Sequence, residues 1–194
     1  MEQTYAIELK NITKRFGKIV ANDGINLKVK RGEILSLLGE NGSGKTTLMN
    51  MISGIYFPDE GHILVDGKAV SIRSPKDSFD LGIGMIHQHF KLIDVMTAAE
   101  NIILGLKGNA VLDMKKVHKD IQELVDRYGF DLDPAQKVYT MSVSQKQTVE
   151  IVKMLYRGAN ILILDEPTAV LTPQEVDKLF EVLRNMRDDG RAII

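Results

Sequence analysis

The sequence predicts an α/β fold in three parts: an antiparallel β part, an α/β core and an inserted helical part. Apolar and polar residues alternate over residues 5–35, which is typical of strands with one face in water. Two short runs, Ile34–Leu38 and Ile161–Leu164, are apolar at nearly every position, as expected of strands covered on both sides. Between these runs, from about residue 97 to 158, the apolar period becomes that of a helix.

Length and composition narrow the class of protein. The chain has 194 residues, enough to bury a sizeable core. Its 25 Lys and Arg against 26 Asp and Glu give a net charge of −1, which argues against a broadly basic nucleic-acid or membrane-surface binder. The absence of cysteine excludes a disulfide scaffold, an iron–sulfur cluster and a Cys nucleophile. No secretory signal is visible, and no apolar run approaches the roughly 20 residues of a membrane span.

Most predicted elements have a local signal at one end. Asp66-Gly67 indicates a hairpin, and Thr97 with Glu100 forms a capping box. A helical apolar stripe from Val117 to Tyr128 is followed by Gly129 as its stop. The last helix begins at Thr172-Pro173, and its expected buried residues are Val176, Leu179, Phe180 and Leu183.

One segment matches a known phosphate-binding pattern. Residues Gly39–Thr46 read G-x-x-x-x-G-K-[ST], between an apolar strand and a helix. Glycines let successive N–H groups face inward around phosphates, and the helix N-terminus adds partial positive charge. Lys45 is expected at the β and γ phosphates, and the Thr46 hydroxyl at Mg²⁺. The predicted nucleotide-binding residues here are Gly39, Glu40, Asn41, Gly42, Ser43, Gly44, Lys45, Thr46 and Thr47.

A pair of carboxylates completes this pattern. The apolar run Ile161–Leu164 ends in Asp165 and Glu166, and in open α/β sheets ligands lie at the carboxyl ends of strands. We expect Asp165 to hold Mg²⁺, directly or through water, and Glu166 to act as the general base on the attacking water. Acidic residues also simply terminate strands, but the matched phosphate loop favours the catalytic interpretation.

Two further motifs, in a known order, make the chain resemble an ATP-binding-cassette (ABC) ATPase. Gln88 follows a short predicted strand, where the family has its Gln loop, and Met141–Gln145 stands where the family has L-S-G-G-Q. Phe16 matches the family's adenine-stacking aromatic. Without the resemblance, Phe16 is more simply a core aromatic, Ser142 to Gln145 a helix-capping turn, and Gln88 carries no signal.

The resemblance implies the fold, ligands and roles. The fold is a P-loop NTPase (RecA-like) core with an ABC-type antiparallel β subdomain and an inserted α-helical subdomain. The expected division is residues 1–92, 93–158 (helical and signature part) and 159–194. ATP and Mg²⁺ are the implied ligands. Gln88 would contact Mg²⁺ and the attacking water and report to the permease, while Ser142, Ser144 and Gln145 would bind the γ-phosphate held on an opposite cassette.

A narrower resemblance is to the cassettes of simple-sugar and nucleoside importers, and most to the nucleoside branch. It rests on Val143 with the continuation Gln145–Ile151, on Ile86–Phe90, and on Glu166–Glu175. The implied partners are a second cassette joined head to tail, a transmembrane permease and, indirectly, a substrate-binding lipoprotein, with no nucleic acid. The implied location is the cytoplasmic face of the cell membrane, as a peripheral subunit.

The sequence departs from the family's motifs at two positions, and two other functions remain as alternatives to transport. Ser144 replaces the second glycine of the signature, and Thr172 stands where most cassettes have the Asp that crosses the dimer. Of the two ATP sites in a pair of cassettes, we therefore expect the one that uses this signature to be the poorer. The alternatives are a soluble ABC ATPase of translation or DNA repair, and a regulatory cassette that binds ATP without hydrolysis. The absence of a long heptad run argues against the repair type, and Glu166 argues against the regulatory one.

The end of the chain carries one more expectation. The family places a histidine that contacts the γ-phosphate after the strand that Ala192–Ile194 begins, and the sequence ends before it. We therefore expect a truncated cassette, the N-terminal one of two, which binds ATP through Lys45 and Thr46 but hydrolyses it poorly.

Overall fold

The computed structural model describes residues 5–87, 90–106 and 113–194. Within these ranges the strands are β1 (Tyr5–Phe16), β2 (Ile19–Lys30), β3 (Glu60–Val65), β4 (Lys68–Val70), β5 (Ile83–Ile86), β6 (Ile161–Leu164) and β7 (Ala192–Ile193). The α-helices are α1 (Lys45–Ile52), α2 (Pro75–Asp80), α3 (Ala98–Ile103), α4 (Met114–Tyr128), α5 (Val143–Tyr156) and α6 (Pro173–Asp188). None of the helices in these ranges has the length and apolar character needed to cross a bilayer.

The described residues form two compact units. The first contains residues up to Met85 together with Ala159–Asp165 and Met186–Ile194, and the second contains Ile86–Gly158 and Glu166–Asn185. The first therefore holds the sheets and the predicted phosphate loop, and the second holds most of the helices. The predicted α/β class with an antiparallel sheet is confirmed.

The antiparallel sheet of the first unit has the strand order β2-β1-β3-β4. The β3–β4 turn has positive φ at both central residues, 48° at Asp66 and 75° at Gly67, the conformation that two-residue hairpins favour. The expectation of one wet face is wrong for β1, because Ala6 and Glu8 are buried as well as Ile7. Strand β1 lies between β2 and β3, and the Glu8 carboxylate pairs with Lys10 on the same strand and with Lys28 on β2.

The second sheet of this unit has the order β5-β6-β7, with β6 and β7 parallel. The predicted strand Ile34–Leu38 is mostly wrong: Ile34 forms an isolated parallel bridge to Ile193, and Leu35 N–H donates to the Ile193 carbonyl at 2.8 Å. After Leu35 the run forms no ladder with another strand among the described residues, and Leu38 is 91% exposed. The predicted strand Ile161–Leu164 is confirmed as β6.

The helical unit is built around α5, which packs against α3 and α4. The capping box of Thr97 and Glu100 is confirmed, and Gly129 ends α4 in the left-handed conformation. Helix α6 begins at Pro173 as predicted, but it buries Val182, Leu183 and Met186 and leaves Phe180 exposed. Two sets of apolar residues with helical spacing occur in this segment. The set that is buried lies in the second half of α6.

Candidate functional site: phosphate loop and signature turn

The phosphate loop of the first unit folds around the ammonium group of Lys45. The Lys45 Nζ donates to the carbonyl oxygens of Gly39 at 2.6 Å and Glu40 at 2.8 Å, and lies 3.4 Å from Ser43 Oγ. A Cβ on Gly39 would lie 2.8 Å from Ser43 Oγ, so a larger residue there would displace the Ser43 hydroxyl. The loop thus holds a cation among its own acceptors.

The loop leads into the N-terminus of α1, which no side chain caps. Gly44 is the N-cap residue with φ 90°, no side-chain hydrogen bond is made to the first turn, and no acidic residue lies in it. The first N–H groups of a helix need an acceptor, and the helix dipole favours an anion at this end. Thr46 is exposed and Thr47 half-buried in this turn. Together these features fit a phosphate group.

The topology brings Asp165 to the same edge of the sheet as the loop. Ile34 and β6 both run parallel to β7, so the chains that leave Ile34 and β6 do so at the same edge. One leads to the phosphate loop and the other to Asp165, which is half-buried. Hydroxyl and carboxylate oxygens, here those of Thr46 and Asp165, are the ligands that Mg²⁺ prefers, so this donor set fits the ion.

Phe16 lies at the end of β1 and is not a core residue. Its ring is 42% exposed and makes an edge-to-face contact with Tyr56, with the ring centroids 5.2 Å apart. The Asp59 carboxylate accepts the Arg15 N–H at 2.6 Å and a Lys14 Nζ hydrogen bond at 3.0 Å, which anchor this end of the strand. These hydrogen bonds lower the pKa of Asp59. An anchored, exposed ring is available for stacking on a nucleobase.

Glu166 belongs to the second unit and has a left-handed backbone. Its φ is 48°, an uncommon value for a residue other than glycine, and its side chain is exposed. Directly after it, the Pro167 carbonyl accepts a 2.9 Å hydrogen bond from Nε2 of the buried Gln147 on α5. Helix α5 thereby fixes the chain next to Glu166. Gln147 carries no local sequence signal for this role, because its partner is 20 residues away.

The predicted signature residues form the N-terminus of α5. Ser142 is the N-cap, and its hydroxyl accepts the Gln145 N–H at 3.2 Å while its own N–H donates to Gln145 Oε1 at 3.1 Å. The helix-capping interpretation is therefore correct as a description of the structure. The N–H groups of Val143 and Ser144 take no part in this capping box, so the helix end keeps donors directed at the space before it.

A cavity of about 450 Å³ lies beside the signature turn. Its lining includes the N-cap residue Ser142, Ser144 and Gln145 from α5, and Gln174, Glu175 and Lys178 from α6. All of these residues belong to the second unit. The cavity is polar at its signature wall and carries both an ammonium and a carboxylate at the α6 wall.

Thr172 forms its own capping box at the start of α6. The Glu175 carboxylate accepts the Thr172 N–H and the Thr172 hydroxyl, both at 2.9 Å. These hydrogen bonds, the backbone one first, hold the pKa of Glu175 below its usual range. The residue that replaces the family's Asp is therefore used to start a helix.

Replacing Thr172 with Ala is expected to raise the pKa of Glu175, because the hydroxyl that stabilises the carboxylate is lost. With a lowered folded-state pKa, Glu175 stabilises the fold above its unfolded pKa, and this contribution is lost as pH falls through the folded value. An NMR titration of the Glu175 side-chain carbon measures it. Thr140→Ala is the matched control, and an unchanged pKa of Glu175 in Thr172→Ala would contradict the assignment.

One predicted site residue lies outside the described part of the chain, and one residue that was not predicted contacts the phosphate loop. Gln88 lies outside the described residues. Asn22 on β2 is buried and donates to the Gly44 carbonyl of the phosphate loop at 3.3 Å. A lone Asn in an alternating strand carries no sequence signal for such a role.

Comparison with known proteins gives one family throughout. A family model described as ABC transporter matches residues 22–169. The guanosine import ATP-binding protein NupO of Bacillus subtilis is 53% identical over 192 residues, 98% of this chain and 38% of NupO. The nucleoside import ATP-binding protein NupA of Lactococcus lactis is 51% identical over 196 residues, 100% of this chain and 39% of NupA.

The glucose import ATP-binding protein TsgD13 of Haloferax volcanii is 45% identical over 218 residues, 97% of this chain and 40% of that protein. The chain thus spans 38% to 40% of the length of these curated relatives. Among solved structures, the ADP conformation of an ATP-binding cassette of an ABC transporter has a TM-score of 0.86 at 25% identity and covers 97% of this chain and 79% of its own. CbiO1 from Clostridium perfringens has a TM-score of 0.83 at 29% identity and covers 98% and 77%.

Proposed function

Because the chain belongs to the ABC transporter family, we propose that it binds and hydrolyses ATP to energise import through a membrane permease. The observation that carries this proposal is the uncapped N-terminus of α1 behind a loop that closes around the Lys45 ammonium. Both features favour an anion with several acceptor oxygens, and a triphosphate has that chemistry.

Lys45 exchanges acceptors when the phosphates bind. Its Nζ now donates to two loop carbonyls, which are neutral acceptors. Charged phosphate oxygens are stronger acceptors for an ammonium group than carbonyls are, so the triphosphate takes over these hydrogen bonds. The adenine ring stacks on the exposed Phe16, and the edge-on Tyr56 limits the positions that the Phe16 ring can adopt.

The acidic pair divides two tasks between neighbouring residues. Asp165 and the Thr46 hydroxyl would hold Mg²⁺, which supplies positive charge against the phosphates when it is bound. Glu166 takes the proton from the attacking water as general base. Its left-handed backbone supports this role, because strained conformations of residues other than glycine cluster at active sites.

The signature turn serves a second cassette joined head to tail. The N–H groups of Val143 and Ser144 and the Ser142 hydroxyl would bind the γ-phosphate held on the opposite loop, as an anion at the N-terminus of α5. Ser142 can keep accepting the Gln145 N–H while its hydroxyl proton points to the phosphate. Gln88 would report the state of the nucleotide to the permease, at the cytoplasmic face of the membrane.

We propose nucleosides as the transported class, with simple sugars as the competing class. The support is that two relatives at 53% and 51% identity are named for guanosine and nucleoside import, while TsgD13, at 45%, is named for glucose import. The permease and a substrate-binding lipoprotein choose the solute, so the test needs the assembled importer.

Proteoliposomes that contain the full gene product, its permease and its binding protein test this proposal. With ATP inside, radiolabelled guanosine should accumulate, whereas labelled ribose or glucose should not. Uptake of sugar alone would replace the nucleoside assignment. ATP turnover that does not respond to the permease would contradict the transport function.

A further inference from the structure

Asn22 is a buried polar residue with an unusual hydrogen-bond arrangement. It lies on β2, is 6% exposed, and its Nδ2 donates to the Gly44 carbonyl oxygen at 3.3 Å. Its Oδ1 has no hydrogen-bond partner among the described residues. A buried acceptor without a partner destabilises a fold, so the position would favour an apolar side chain if it served packing alone.

The pairing of β1 with β2 explains how Asn22 reaches the loop. The paired residues are Ile12 with Ile25, Lys14 with Asn22, and Arg15 with Val20. In each interval β2 uses one residue more than β1, so an irregularity lies on either side of Asn22. Extra residues of this kind bend a strand and re-aim its side chains. The amide of Asn22 is thereby directed to the phosphate loop.

The loop backbone lies directly against this part of β2. A Cβ on Gly44 would lie 2.3 Å from the Ala21 carbonyl oxygen and 2.9 Å from Asn22 Nδ2, so only glycine allows this approach. The Gly44 carbonyl also accepts the Leu48 N–H at 2.9 Å. Asn22 therefore binds the peptide at which the loop becomes α1.

We propose that Asn22 is a positioning residue for phosphate binding. Its amide holds the Gly44 peptide so that the N–H groups of the loop and of the first turn of α1 face the triphosphate. Because β2 follows the hairpin after Phe16, the same strand fixes the loop relative to the adenine-stacking ring. The inference rests on the proposed binding of ATP at this loop and adds the residue that orients it.

The test compares Asn22→Ala and Asn22→Asp with the unmodified chain and with Asn26→Ala. Asn26 is a matched control because it lies on the same strand and is hydrogen-bonded, but to Asn11 and the Gly24 carbonyl, away from the loop. Displacement of a fluorescent ATP analogue gives the affinities for ATP and for inorganic triphosphate. Melting temperatures without ligand give the stability.

We expect Asn22→Ala to weaken ATP and inorganic triphosphate by the same factor, about fivefold for the loss of one hydrogen bond. Its melting temperature without ligand should not fall, because the unpartnered acceptor is removed too. Asn22→Asp keeps the size but has no donor, and it should weaken ATP at least as much. Asn26→Ala should bind both ligands like the unmodified chain. Phe16→Ala should weaken ATP but not triphosphate.

The result that would contradict the proposed function differs from the results that would contradict the positioning role of Asn22. An unmodified chain that binds neither ATP nor triphosphate contradicts the proposed function itself. A chain that binds ATP while Asn22→Asp binds it equally well overturns the positioning role alone, whether or not Asn22→Ala folds. A lower melting temperature of Asn22→Ala with unchanged ATP affinity also overturns it, because Asn22 would then serve only the fold.

Discussion

Glu166→Gln is expected to slow ATP hydrolysis strongly while ATP binding remains. The amide keeps the size of the side chain but cannot take a proton from water, and loss of a general base lowers rates by about 10²- to 10⁴-fold. The Glu166 side chain is exposed, and among the described residues it makes no hydrogen bond that the change would remove. Single-turnover hydrolysis of labelled ATP by the full gene product, beside an equilibrium binding titration, measures both quantities.

Glu123→Gln is the control for the Glu166 experiment. Glu123 is an exposed carboxylate on α4 that pairs with Lys119 at 3.8 Å, so its replacement should leave both hydrolysis and binding unchanged. Hydrolysis by Glu166→Gln at the rate of the unmodified protein would contradict the general-base role. If neither the unmodified protein nor Glu166→Gln hydrolysed ATP while both still bound it, the result would favour the regulatory cassette.

Lys45→Ala is expected to weaken ATP binding by about 10- to 100-fold, since hydrogen bonds to charged groups contribute about 1.5–3 kcal/mol. The Lys45 ammonium lies at the centre of the loop, donating to the carbonyls of Gly39 and Glu40, and nothing in the alanine side chain replaces it. Calorimetric titration with ATP measures the loss.

Lys68→Ala is the control for the Lys45 experiment. Lys68 is an exposed lysine at the start of β4 in the same unit, so the two variants remove the same charge. ATP affinity should be unchanged in Lys68→Ala. Equal weakening in the two variants would show that net charge, rather than the position of Lys45 in the loop, governs binding.

The features that were predicted correctly are those formed by residues that lie within a few positions of one another in the sequence. Thr97 and Glu100 exchange hydrogen bonds three residues apart, Asp66-Gly67 closes its own turn, and Gly129 ends the helix that precedes it. The loop around Lys45 is equally local, since its partners are Gly39 and Glu40. Such patterns need no knowledge of the rest of the fold.

The features that were missed depend on partners far along the chain. The donor of Asn22 finds its acceptor 22 residues away, and its direction depends on irregular pairing with β1. The run Ile34–Leu38 is apolar enough for a strand, but a strand also needs a pairing partner, and the partner of Ile34 and Leu35 is the distant Ile193. In α6, Phe180 belongs to one apolar face of helical period, and Val182 and Met186 belong to another. Only tertiary packing decides which face is buried.

A crystal structure of the chain with a non-hydrolysable ATP analogue and Mg²⁺ tests the central claim most directly. We predict the triphosphate within Gly39–Thr46, in contact with Lys45 Nζ and the N–H groups of α1, and the adenine on Phe16. An analogue bound elsewhere, or a loop that keeps Lys45 on its own carbonyls at saturating analogue, would contradict it.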